Sequence, residues 1–111
     1  MCVILQCDDH IPKLDMLKDA EKTNRDGGGF AYTRDGLVHW EKGLHVTAEY
    51  VAKYVKKHKL TKKNNLIVHF RIGTHGANND MLCHPFPLGI NKDGSALSNR
   101  TRGSTRHSVM F

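Results

Sequence analysis

The sequence predicts one α/β domain of the α+β kind: an antiparallel sheet with two helices packed on one face. Three stretches carry that expectation. Phe30-Ala31-Tyr32-Thr33-Arg34 and Leu37-Val38-His39-Trp40-Glu41-Lys42 are strand-like runs separated by Asp35-Gly36, a two-residue hairpin signal. Leu66-Ile67-Val68-His69-Phe70-Arg71-Ile72 is the strongest strand of the chain. Its alternation sets Leu66, Val68, Phe70 and Ile72 on one face and Ile67, His69 and Arg71 on the other. Val51, Tyr54, Val55 and His58 recur at i, i+3, i+4 and i+7, the apolar stripe of an amphipathic helix.

The remaining elements fall between these anchors. Cys2 to Cys7 reads as a short buried strand, apolar on both sides apart from Gln6. Asp8-Asp9-His10 breaks it, and Pro12 suits the first turn of a helix whose apolar face is Leu14, Leu17 and Ala20. That helix is expected to end near Thr23. Asn24-Arg25-Asp26-Gly27-Gly28-Gly29 follows, and three consecutive glycines argue against the interior of a regular element. A strand and not a helix comes next, so this is no phosphate-binding fingerprint. Thr47 is placed to cap the second helix, with Glu49 in its first turn and lysines in its last. Gly73-Thr74-His75-Gly76 reads as a turn and Cys83-His84-Pro85-Phe86-Pro87 as a Pro-stiffened segment. Ile90 to Gly94 reads as another turn, Ser95-Ala96-Leu97 could begin a strand, and the rest of the tail has no period.

A chain of 111 residues buries a single core. No apolar run approaches the roughly 18 residues of a membrane span, and no basic-then-apolar leader opens the chain, so a cytoplasmic protein without membrane contact is expected. The three cysteines (Cys2, Cys7 and Cys83) show no disulfide-framework spacing, which suits a reducing compartment. The net charge of +6 comes largely from Lys53 to Lys63 and from Arg100, Arg102 and Arg106. Aromatic residues are not interleaved with the arginines of the tail, so a solvated basic face is the expectation and a nucleic-acid partner is not. His69, His75, Cys83 and His84 are zinc-competent types, but their spacing fits no closed site. Neither metal nor cofactor is expected.

Met1-Cys2-Val3-Ile4, Asn24-Arg25-Asp26-Gly27-Gly28-Gly29, Arg71-Ile72-Gly73-Thr74-His75-Gly76 and Cys83-His84-Pro85-Phe86 occur in this order. Together they resemble the glutaminase domain of class II glutamine amidotransferases, which are N-terminal-nucleophile hydrolases. The resemblance covers residues 1–90, with 91–111 a divergent basic tail. It implies an N-terminal-nucleophile fold, present here as a partial domain, with glutamine as substrate and no cofactor. Removal of Met1 would leave Cys2 as the terminal residue, carrying thiol and α-amine together, so that the amine serves as the base of the nucleophile. Arg71 would clamp the α-carboxylate of glutamine through its planar fork, aided by Thr74 and His75. The Asp26-Gly27 turn would shape the pocket beside Cys2.

One segment departs from the pattern. The family's Leu-x-His-Asn-Gly, where Asn and Gly donate to the oxyanion, is matched by Ala96-Leu97-Ser98-Asn99-Arg100. Asn99 corresponds to the Asn, while Ser98 and Arg100 replace His and Gly. A separate synthase or another protein is the implied partner. The competing expectation is a catalytically degenerate binding or inhibitor module on the same fold.

Overall fold

In the computed structural model, residues 2–73, 80–89, 94, 100–106 and 108–111 are described. Strands β2 (Gly28–Arg34) and β3 (Leu37–Gly43) form the expected hairpin, in register from Gly28↔Gly43 to Arg34↔Leu37. Asp35 and Gly36 both take positive φ, at 55° and 75°, which gives the turn the twist the strands require. Strand β4 (Leu66–Phe70) pairs with the other side of β2, and β1 (Val3–Cys7) adds to its far edge. Strand β6 (Arg102–Thr105) closes the hairpin side, giving the antiparallel order β1-β4-β2-β3-β6.

One face of this sheet buries Phe30, Tyr32, Leu66, Val68 and Phe70 against Leu17, Ala48 and Val51. Those last three come from helices α1 (Leu14–Glu21) and α2 (Ala48–Lys57), so both helices lie on one face, as expected. The α2 stripe also behaves as read: Val51 is fully buried, Tyr54 and Val55 pack on the core, and His58 stacks on Tyr54 at 4.0 Å. The Thr47 hydroxyl accepts from the Tyr50 N–H at 3.2 Å, satisfying one orphan donor of the first turn. Thr47→Ala is expected to lower unfolding free energy by about 1 kcal/mol in urea titration, with the folded helix content unchanged.

Several boundaries differ from expectation. Strand β1 is not buried on both sides: Ile4 is 54% exposed, because β1 is an edge strand and the helices cover only the other face. Pro12 precedes α1 instead of opening it, with Lys13 as the extended N-cap. The helix ends at Glu21, where the Asn24 side chain donates to the Ala20 carbonyl at 3.0 Å and satisfies a terminal acceptor. Gly28 and Gly29 lie inside β2, paired on both sides. In the tail, where no period was legible, Arg102–Thr105 forms the fifth strand of the sheet. The expected turn at 90–93 and strand start at 95–97 fall outside the described residues.

The second face is covered by the segment Cys83–Pro87. Its last two residues, Phe86–Pro87, form β5 and pair with β7 (Val109–Met110) in a small separate sheet. The His84 ring meets His69 edge-on at 4.5 Å, and the Phe86 ring lies 4.2 Å from the Lys42 ammonium. Of the sequence-derived site residues, Arg71 follows His69 on this side of β4, beside the polar layer under the strap.

Candidate functional site

The site is built at one end of three neighbouring strands. Val3 and Gly28 both pair with Phe70, from opposite sides. Carrying the register one residue further sets Cys2, Arg71 and Gly27 in a row across β1, the end of β4 and the start of β2. The Arg71 N–H donates to the Gly27 carbonyl at 2.8 Å, and the Asp26 N–H donates to the Arg71 carbonyl at 2.7 Å. The Arg71 guanidinium reaches the Asp26 carbonyl at 3.4 Å, and the Gly73 N–H donates to the Asp26 carboxylate at 2.7 Å. Arg71 and the Asp26-Gly27 turn are thus one hydrogen-bonded unit, a contact the sequence reading did not include. Thr74, His75 and Asn99 lie outside the described residues.

Cys2 is exposed, whereas Cys7 and Cys83 are buried. Burial raises the Cys7 thiol pKa above its ordinary value, with Asp8 and Asp9 adding to the effect. Burial is also the main cause that raises the Cys83 thiol, against the neighbouring positive charge of Arg71. Both buried thiols therefore stay protonated and poorly nucleophilic at neutral pH.

Strand parity puts Arg71 on the same side as His69, and burial makes that side unusual. Arg71 is 9% exposed, His69 2% and Lys42 0%. His69 is pushed down to about 4, first by burial and then by the positive neighbourhoods of His84 and Arg71. His84 moves the same way, through burial, Lys42 and Arg71. Burial also lowers the Lys42 ammonium. The result is two buried cations beside two neutral imidazoles, whose Nδ1 atoms have no hydrogen-bond partner. Sequence reasoning named Arg71 and Asp26, and named His84 only as a zinc-competent type, but missed Lys42. The available signal was the alternation of β3, which sets Lys42 on the face away from Glu41 and the helices.

Among the described residues, no group of three or more His, Cys, Asp or Glu side chains could hold a metal ion. Among them, too, no helix is long and apolar enough to cross a membrane. Comparison with family models, curated proteins and solved structures found no match for this chain.

Proposed function

We propose that this chain is a glutamine amidotransferase-like domain of the N-terminal-nucleophile type, hydrolysing the side-chain amide of glutamine through Cys2. The observation that supports the reading is the pairing of Phe70 with Val3 on one side and Gly28 on the other, so that Cys2, Arg71 and Gly27 each stand one residue beyond the same rung, with Arg71 hydrogen-bonded to the Asp26-Gly27 turn. The Cys2 thiolate adds to the amide carbon, and the C–N bond breaks as the α-amine passes its proton to the leaving ammonia. Water then cleaves the thioester to give glutamate and restore the thiol. Arg71 holds the α-carboxylate, which fixes the amide at the nucleophile.

A second reading is favoured by one specific contact. The Arg71 guanidinium is largely buried and already engages the Asp26 carbonyl, which is also how a purely structural arginine behaves. A degenerate binding module on the same scaffold would keep that contact and lose catalysis.

Because Cys2 is the exposed thiol, simple alkylation of it would not separate the two readings. The test is labelling by 6-diazo-5-oxo-L-norleucine, followed by intact mass and peptide mapping. Expected are loss of Met1, one adduct on Cys2, none with Cys2→Ser, and labelling at least about tenfold slower with Arg71→Ala, from loss of a charge-assisted contact. Turnover of glutamine itself is expected to be slow. Loss of one oxyanion donor costs about 2.7–4 kcal/mol, a factor of about 10² to 10³, and Ser98 and Arg100 stand where the family has His and Gly. Retention of Met1, or labelling indifferent to Arg71→Ala, would leave the binding module as the better reading.

A further inference from the structure

On the helical side of the sheet, away from Cys2 and Arg71, a groove of about 290 Å³ runs between α2 and β6. Its walls are Tyr50, Lys53, Tyr54, Lys57 and His58 from the helix and Arg102 from the strand, with Glu41 on its floor. Its volume is near the lower end of the roughly 300–1,000 Å³ usual for small-ligand sites. A second depression of about 230 Å³ shares Glu41, Tyr50 and Arg102 and extends it toward His45 and Thr101.

The chemistry of the walls is one-sided. Lys53 and Lys57 stand one helical turn apart on an exposed face, and Arg102 faces them from the sheet edge. Among the described residues none of these three cations has an ion-pair partner. The one carboxylate present is already engaged: Glu41 is 6% exposed, accepts from the Tyr50 hydroxyl, and accepts from His45 Nε2 at 2.7 Å. Burial and that bond push the Tyr50 hydroxyl up to about 12, so it remains a donor to Glu41. The negative end of the α2 dipole, about half a charge, is outweighed by Lys56 and Lys57 in its last turn.

Between the cations lies a platform of rings. His58 stacks on Tyr54 at 4.0 Å and 25°, and Tyr50 follows at 6.4 Å from Tyr54. Tyr54 is fixed from below by Phe30 at 4.7 Å and by a hydroxyl–hydroxyl bond of 2.9 Å to Tyr32. A rigid set of rings bordered by unpaired cations matches a planar group that carries a phosphate, because rings supply stacking and the fork and ammonium groups take the anion.

We infer that this groove binds a nucleotide, free or within a single strand, with phosphate on Lys53, Lys57 and Arg102 and the base on the Tyr–His platform. Amide chemical shifts on the full chain, titrated with adenosine monophosphate, test it. Perturbations should centre on Tyr50 to His58 and Arg102, inorganic phosphate should compete, and adenosine at the same concentration should bind far more weakly. The double change Lys53→Gln/Lys57→Gln keeps good helix formers and should weaken binding by about tenfold or more. The control Lys62→Gln/Lys63→Gln removes the same charge at exposed positions elsewhere and should change affinity little. An oligodeoxythymidine that binds tighter than the mononucleotide, with steep salt dependence, identifies a single strand as the source; equal affinity identifies the free nucleotide. Perturbations elsewhere, equal loss in both double variants, or equal competition by a glutamate-rich peptide would overturn the assignment.

Discussion

Gly29→Ala is expected to destabilise the fold by at least about 3 kcal/mol, at or beyond the upper end of ordinary overpacking. A Cβ on Gly29 would fall 2.7 Å from the His84 carbonyl carbon, closer still to its oxygen, and 3.0 Å from the Lys42 side chain. The obstruction is backbone, so no rotamer change relieves it. Either β2 moves away from β3 and β4, to which Gly29 is paired on both sides, or the Cys83–Pro87 strap lifts from the sheet. Lifting the strap takes the Phe86 ring off Lys42 and exposes His69. Urea unfolding of the variant, with thiol titration of Cys83, reads both outcomes. Stability within about 0.5 kcal/mol of the parent, with Cys83 still protected, would show that the strap does not press on Gly29.

The second large effect is a dependence on pH carried by His69. In the folded chain its imidazole is pushed down to about 4 from an ordinary 6.5, chiefly by burial. The unfolded chain therefore takes up a proton below about pH 6.5 that the folded chain refuses until about pH 4. Stability from this residue is complete above pH 6.5 and is lost as the pH falls toward 4, on the order of 3 kcal/mol across the window. His84 has the same sign and adds to the slope. Urea midpoints measured between pH 7 and 4.5 should fall steeply for the parent and less for His69→Phe, since carboxylate titration is common to both. Superimposable curves would mean that His69 is not buried in its neutral form.

The hairpin and α2 were legible because their signals are local. Asp35-Gly36 states its own turn, and Thr47 followed by the Val51, Tyr54, Val55 stripe states its own cap and buried face. Strand β6 was not legible, because Arg102-Gly103-Ser104-Thr105 has no apolar alternation and exists only through pairing with β3. There Gly103 lies against Trp40, with room of 3.2 Å between a notional Cβ and the indole. The glycine run misled for a related reason. Gly28 and Gly29 look like a break in one dimension, but they are strand residues left bare so that other backbone can approach. At the site, motif order singled out Arg71 and Asp26, but the hydrogen bonds between them depend on strand ends that only the fold brings together. The burial of Lys42 was not legible either, because a lysine at a strand end reads as solvated until the Phe86 ring is known to cover it.

The sheet order also fixes a schedule. Strand β1 finds its partner in β4, and Val3 meets Phe70, so the first strand made is completed only after 67 further residues. At ribosomal speeds of about 5–20 residues per second that interval is about 3–13 seconds, during which the hairpin can already form from adjacent sequence. Strand β1 therefore stays without its pairing partner while the helices and the hairpin between it and β4 are synthesised.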